Sequence, residues 1–590
     1  MAHGVVGSAR VIAFGASNVA PAGAVVGGLV IVVSYAGFAS PLVVIIAFVA
    51  SLCCASTIAE FARRLPSAGS LYTYNSRGLG RTGGFLTGWM MVFAYALYVP
   101  AGIALTSAYA SQLAADVLHV TIAGWVLFLV ILGAVVLVAY LGIATSSSVD
   151  LVLVVGEVAV IAALAITVLV KIGPAHYSAA VLSPASSPNG QLTDITDAMI
   201  YGITAFAGFE AAAALGEEAK DTRRSVPASI IGIVVVTGAF YLLVSLAEAF
   251  GVGSRGIPGL IAQPSPLGYL TSRYWSPSAS WVVDLVVVIT GLGFVIAATN
   301  AAIRVVYAMA RDHALPGSLT RLSRRRTPVV AIGCLAVLTL LIGLPLNYAY
   351  GGARAFGYLA GAGSLGVVLV YLTGNIAVIR AFRTEFRGEF NLWRHLLIPA
   401  AAALFFLFPL WGILHPPAYT LVNLLPFATL GWLCIGVIAV AILRTRRPGS
   451  FQALGRTFMP AEKEHPSPLP SRFHTRAKGR GGASAGRPHA GRRALGSARD
   501  PLVCRRPTSC SVQARCGGRT ADRPRPPWPW SGPGAWSCRA GGRWPVQQGL
   551  VRCSWCTATR GLGPVVPGMR DLAGAGYRRP LAPDGNGTSA

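Results

Sequence analysis

The sequence predicts an all-α membrane protein of about twelve transmembrane helices, and three observations carry that reading. Hydrophobic residues make up 54% of the 590 and charged residues only 12%, with a mean hydropathy of +0.61, values far from those of a soluble domain. Apolar runs of about 20 residues, long enough to cross a bilayer, recur along the chain. Basic residues fall between those runs, alternately dense and sparse.

The runs cover residues 11–34, 40–62, 84–112, 121–143, 149–171, 195–216, 226–251, 280–309, 328–349, 355–380, 396–415 and 421–443. One set of connections carries Arg10; Arg63, Arg64, Arg77 and Arg81; Lys220, Arg223 and Arg224; Arg311, Arg321, Arg324, Arg325 and Arg326; Arg380, Arg383, Arg387 and Arg394; and Arg444, Arg446 and Arg447. The alternate set holds only Lys171, Arg255, Arg273 and Arg354. Positive loops stay in the cytoplasm, so the bias predicts an even number of crossings of the cytoplasmic membrane with both termini inside. The first run follows a single Arg10 and lacks a convincing cleavage site, so it reads as a retained helix. Two outer loops, 172–194 and 252–279, are rich in Pro, Ser and Gly and read as lids or linkers.

The formal charge of +27 does not point to nucleic acid. From His465 onward there are 21 Lys and Arg against four Asp and Glu, so +17 of the charge sits in the tail, and no basic face interleaved with aromatics is visible. Residues 1–450 read as the transmembrane domain. Residues 451–590 read as a cytoplasmic tail rich in Pro, Gly and Arg, disordered or an out-of-frame extension, because it has no apolar face to bury. Cys53, Cys54, Cys334 and Cys434 lie in apolar runs as small hydrophobes. In the tail, Cys553 and Cys556 have CxxC spacing, but no second pair completes a zinc site, and no metal or other cofactor is expected. Asn586 and Thr588 fit a glycosylation pattern that falls on the cytoplasmic side.

Two runs carry flaws. The sixth is interrupted by Gly202, Gly208 and Glu210, and the first by the small and polar string GASNVAPAG, residues 15–23. Glycines and a carboxylate weaken a spanning helix, which is tolerated only where the loosened backbone faces protein or water. Paired broken helices mark the central site of a transporter. At the first break, Ser17 and Asn18 precede Pro21, which opens a new helix whose amides at Ala22 and Gly23 present the positive end of its dipole to a carboxylate. The plain alternative is a kink with small residues packed between helices.

At the second break, Phe206, Gly208, Phe209 and Glu210 suit carbonyls for an ammonium group, an aromatic cover, and a carboxylate near the inner gate. Glu210 reads equally as a bridge between helices. Tyr95 and Tyr98 face either this cavity or a helix interface. Glu157 lies about seven residues, roughly 10 Å, into the fifth run, where a lone carboxylate needs a cavity or a partner. It reads as the proton or cation-coupling group, or as a fixed partner of Arg304 or of Thr299 and Asn300 on the eighth run. No nucleophile and base pair or metal-ligand cluster is spaced for catalysis, so an enzyme is not expected.

Four strings carry a resemblance. AEFARRLPSAGSLYTYNSRGLGRTGGFLTGW (residues 59–89), GFEAAAALGEEAKDTRRSVPASI (208–230), AAIRVVYAMARDHALP (301–316) and LVYLTGNIAVIR (369–380) look like the second-loop, sixth-helix, eighth-helix and tenth-helix segments of one family. Over residues 10–447 the chain resembles the amino acid, polyamine and organocation permease superfamily. That resemblance implies two inverted five-helix repeats plus two further helices, discontinuous helices one and six, and secondary active transport by alternating access, often proton-coupled. It implies that the breaks at residues 17–23 and 206–210 form the substrate site. The first break departs from the family's common GTGIF form, and Glu157 stands where some relatives place a lysine in a sodium-like site. The expected substrate is an amino acid or related amine, with a proton or sodium as coupling ion. The rivals are a polyamine or ethanolamine transporter, an amino acid antiporter, and a receptor or scaffold that transports nothing.

Overall fold

The chain is helical because a backbone in hydrocarbon must satisfy its own N–H and C=O groups, and an α-helix does so within one segment. The computed structural model describes residues 8–65, 69–142, 147–215, 222–414 and 424–453, all within one compact unit, Met1–His474. In chain order the helices are α1 (Ser8–Val19), α2 (Pro21–Ala24), α3 (Val30–Ala36), α4 (Ser40–Arg64), α5 (Ser70–Leu118), α6 (Gly124–Leu141), α7 (Ser147–Ile172), α8 (Leu192–Thr204) and α9 (Thr222–Ile261). They continue with α10 (Pro266–Tyr274), α11 (Ser280–Arg311), α12 (Val329–Leu338), α13 (Leu344–Tyr350), α14 (Gly352–Thr384), α15 (Ile398–Leu414), α16 (Leu425–Arg446) and α17 (Pro448–Ala453). Among the described residues there is no β-strand, only an isolated bridge between Leu322 and Pro328. The tail beyond residue 453, with Cys553, Cys556, Asn586 and Thr588, and residues 216–221 of the sixth-run string lie outside the described residues.

Ten helices among the described residues are long and apolar enough to cross a membrane, against twelve predicted runs. Two places account for the difference. The first two runs count together as Gly15–Arg64, because only a tight turn at Gly37–Ala39 separates them. The sixth run falls below spanning length because it is split: α8 ends at Thr204, residues 205–208 are turn, and Phe209–Leu215 is a 3-10 helix.

The connections 172–194 and 252–279 hold folded turns and helix. Residues 172–194 contain the 3-10 turns Pro174–His176, Ala179–Leu182 and Pro184–Ser186. They are pinned by Asp194, which accepts from the Ser187 hydroxyl at 2.6 Å and from the amide and side chain of Asn189 at 2.9 and 2.8 Å. Burial opposes the charge on Asp194, but these donors outweigh it and hold the carboxyl below its ordinary range. The second of these connections holds the end of α9, kinked at Gly253, and α10, capped by the Ser265 hydroxyl accepting from the Gly268 amide at 3.1 Å.

Inside the bundle, α5 packs along α14 and α11, and α4 along α9. Trp89 of α5 and Trp432 of α16 stack with centroids 4.6 Å apart, and each indole N–H donates to the other's main-chain carbonyl, at 2.8 and 3.0 Å. The arginine-rich connections are tied to one another: Arg64 pairs with Glu60 and Glu389, Arg77 pairs with Glu385 at 2.9 Å, and Tyr72 donates to Asp312 at 3.1 Å.

Gly78 is where α5 meets α14 backbone to backbone, since a Cβ there would lie 2.5 Å from the carbonyl oxygen of Ala377. Gly78→Leu should therefore cost about 1–3 kcal/mol by forcing the helices apart. A thermal-unfolding midpoint in detergent that stayed at the wild-type value would contradict this contact.

Candidate substrate site at the paired helix breaks

The first break is a single residue. Helix α1 runs through Ser17, Asn18 and Val19, whose small and polar character predicts the break itself, and the chain turns instead at Ala20, left-handed at φ 47° and ψ 68°. A non-glycine residue held there costs roughly 1–2 kcal/mol, so its surroundings must enforce it. Pro21 then opens α2, with the Ala24 amide bonding to the Ala20 carbonyl at 2.9 Å. The amides of Ala22 and Gly23 consequently lie outside the helical ladder, at the positive end of the dipole.

The second break is a tightened turn. The amides of Phe206 and Ala207 reach back only three residues, to Ile203 at 3.1 Å and Thr204 at 2.9 Å, and Gly208 follows at φ 110°. The Ala205 carbonyl, lost to the helix, accepts the Tyr241 hydroxyl from α9 at 2.7 Å. A Cβ on Gly208 would fall 2.4 Å from the carbonyl oxygen of Asn18 and 3.0 Å from the Val19 nitrogen. The two breaks therefore lie main chain against main chain, and only glycine permits it.

Beside this contact is a cavity of about 60 Å³. Its wall takes Ala20 and Gly23 from the first break, Ala205 and Ala207 from the second, and Tyr98, Phe294 and Phe356 from α5, α11 and α14. Gly102 and Gly291 give it room. No charged side chain is among its lining residues.

Glu210 lies behind that wall, 4% exposed and fully engaged. Its carboxylate accepts from the Tyr371 hydroxyl at 2.6 Å, the Gly208 amide at 2.9 Å and the Tyr95 hydroxyl at 3.1 Å, while the Ser70 hydroxyl donates to its main-chain oxygen at 3.2 Å. These bonds join α5, α14 and the turn at Gly208 through one carboxylate. Phe206 packs on Phe48 and Tyr241, with centroids 6.1 and 5.1 Å apart, and Phe209 on Tyr371 at 5.5 Å. Of the expected substrate contacts, Gly23 lines the cavity, whereas Ser17, Asn18, Ala22, Tyr95, Phe206, Gly208, Phe209 and Glu210 are not among its lining residues. The turn and 3-10 segment advance about 120° per residue rather than about 100°, which rotates the side chains after Thr204 away from where an α-helix would aim them.

Glu157 is 6% exposed and meets the first break. It accepts the Thr290 hydroxyl from α11 and faces the amide of Ala22, while its Oε1 has no hydrogen-bond partner. Neither Thr299, Asn300 nor Arg304 is its partner. Thr299 stands nine residues from Thr290, two and a half turns or about 13 Å along α11 and on the opposite side of the helix. Its hydroxyl is buried with no partner, and Asn300 and Arg304 are exposed. A Cβ on Gly23 would lie 3.8 Å from the Thr290 methyl, so the pair sits immediately behind the cavity wall.

The profile of the family described as amino acid permease matches residues 7–440. This chain belongs to the amino acid permease family. Among its relatives, a branched-chain amino acid permease, BcaP, from Lactococcus lactis is 26% identical over 64% of this chain and 83% of its own length. A low-affinity putrescine importer, PlaP, from Escherichia coli is 25% identical over 53% and 70%, and a gamma-aminobutyric acid permease of the same species is 24% identical over 66% and 83%. A crystal structure of a manganese transporter from Eremococcus coleocola aligns with 76% of this chain at 12% identity and a TM-score of 0.47, a likeness too weak to carry anything further. This permease is thus a multi-pass membrane transporter of small molecules and not an enzyme.

The aromatic residues Phe294 and Phe356 and the glycines Gly102 and Gly291 were not singled out in the sequence reading; the available signal was a glycine at mid-span in each of the third and eighth runs. Tyr371→Phe keeps the rings packed on Phe209 and Phe406 but removes the shortest bond to Glu210. The expected destabilisation is about 1–3 kcal/mol, measured as a drop in unfolding midpoint. No drop would show that Glu210 does not hold these helices together.

Proposed function

We propose that this permease carries an amino acid with an uncharged aliphatic side chain across the cytoplasmic membrane by alternating access, driven by a proton gradient. In this reading residues 1–450 cross twelve times as two inverted five-helix repeats plus two helices, and the tail from 451 is cytoplasmic. The observation that carries it is the cavity at the paired breaks, which combines main-chain poles with an apolar wall. A substrate carboxylate suits the amide end of α2 at Gly23, and the ammonium group suits the carbonyls of the turn at 205–208. The side chain then meets Tyr98, Phe294 and Phe356. A diamine would bring a second cation with no carboxylate to receive it, because Glu210 is taken by Tyr95, Tyr371 and Gly208. A branched-chain amino acid, named for the relative BcaP, suits this cavity.

Glu157 is the coupling group in this proposal. It touches two elements, α2 through Ala22 and α11 through Thr290, so gain or loss of its proton alters the hold on the first break. An amide donor aimed at the carboxylate suits a proton better than sodium, which needs oxygen acceptors on every side. Asn300 and Thr299 have no part in it. The arginine-rich connections and their mutual ion pairs support cytoplasmic termini.

In proteoliposomes of the full-length protein, labelled leucine should show counterflow that valine and isoleucine compete and putrescine does not. Counterflow of putrescine without leucine would overturn the substrate assignment. Glu157→Gln should bind leucine but lose the rise in uptake that a more acidic outer solution gives the wild type. If uptake by that variant still follows external pH, or follows sodium, Glu157 is not the proton-coupling group.

A further inference from the structure

A further buried acid lies away from the cavity. Among the described residues, Glu248 of α9 has both carboxylate oxygens buried without a hydrogen-bond partner, and it is 1% exposed. No described lysine or arginine stands within ion-pair distance of it. An unpaired carboxylate anion is very costly in a membrane interior, so this position must take a proton or a cation at some stage.

Polar groups lie between it and the exposed end of α5. Tyr109 of α5, 4% exposed, lies within electrostatic reach of both Glu248 and Asp284 and within hydrogen-bond reach of Ser265. Asp284 of α11 is fully buried; its Oδ1 accepts the Ser265 hydroxyl at 2.6 Å and its Oδ2 has no partner. Asp284 is in turn within electrostatic reach, though not bonding distance, of Asp116, exposed at the end of α5 away from the arginine-rich connections, where it accepts from Gln112 at 2.9 Å and Ser280 at 3.4 Å. The other charged and titratable neighbours are at the rim. Tyr274 of α10 donates to the Gly251 carbonyl at 2.7 Å, Arg273 lies over the Tyr274 ring at 5.7 Å, and Lys171 of α7 donates to the Tyr274 carbonyl. The charged groups of α4, Glu60, Arg63 and Arg64, stand at its opposite end.

The inner end of this polar series points at the breaks. Glu248 is seven residues, or two turns, beyond Tyr241, so the two share one face of α9 about 10 Å apart, and Tyr241 holds the Ala205 carbonyl. We propose that Glu248 is a proton-binding site filled from the outer face through Asp116, Asp284, Ser265 and Tyr109. The inference rests on the proton-driven reading above. Asp116 takes a proton from the outer solution and passes it to Asp284; the Ser265 and Tyr109 hydroxyls each accept one proton as they give one up and end unchanged; Asp116 and Asp284 return to carboxylates and Glu248 ends as the neutral acid.

Two measurements on full-length protein test this. In detergent, the infrared difference between acidic and alkaline buffer should contain a carboxylic C=O band that is missing in Glu248→Gln, whatever the substrate. In proteoliposomes, leucine counterflow by Glu248→Gln should continue while accumulation driven by an inward proton gradient falls by about tenfold or more. An unchanged carboxylic band in the variant, or driven accumulation equal to wild type, would overturn the proposal. Should Glu248→Gln fail to fold, Tyr109→Phe and Asp284→Asn carry the test, and wild-type drive in both would overturn the route. Absence of leucine counterflow in the wild type sinks the substrate assignment instead, with the infrared band still deciding Glu248.

Discussion

In the lipid interior an interrupted helix survives only if its loosened main-chain groups are met by protein, and here two interruptions meet each other. Gly208, with no side chain and φ 110°, brings the second break against the carbonyl of Asn18 and the nitrogen of Val19 at the end of α1. That contact places Ala20, Gly23, Ala205 and Ala207 around one cavity. It also leaves the Gly208 amide free to bind Glu210, and the displaced Ala205 carbonyl free to take Tyr241. Remove the contact and the site loses both its walls and its supports.

Four of the buried acids, Glu210, Glu157, Asp284 and Glu248, differ in how completely they are satisfied, and the difference separates scaffolding from working charge. Glu210 receives three donors from α5, α14 and its own turn, a set that fastens helices together. Glu157 has the Thr290 hydroxyl and the Ala22 amide, with one oxygen unmet. Asp284 has only Ser265, and Glu248 has no partner. A carboxylate whose lone pairs are filled gains little from a proton. One whose lone pairs are empty in hydrocarbon gains most, which is why the proposed proton movements are assigned to the last three.

Much of this architecture was legible in the chain. Hydrophobic length and the alternation of arginines located the helices, and glycine, proline and a mid-membrane glutamate located both breaks. The count differed where spacing between runs was too short to register, at Gly37–Ala39, and where a run was too fragmented to qualify, after Thr204. The site was legible as a region but not side chain by side chain. Ser17 and Asn18 look like loop residues and are helical; Phe206 and Phe209 look like a lid and are packed behind the wall; Thr299 and Asn300 look like partners of Glu157, and the partner is Thr290.

By itself, the sequence determined that this protein spans the membrane many times and opens two of its helices at mid-depth, because transfer of apolar segments into lipid and the weakness of glycine and proline in a helix are local properties. Only the tertiary structure decided which residues line the cavity. Helical rotation, a tightened turn, and the approach of α5, α11 and α14 bring Tyr98, Phe294 and Phe356 together from positions far apart in the chain, and no local preference encodes that meeting.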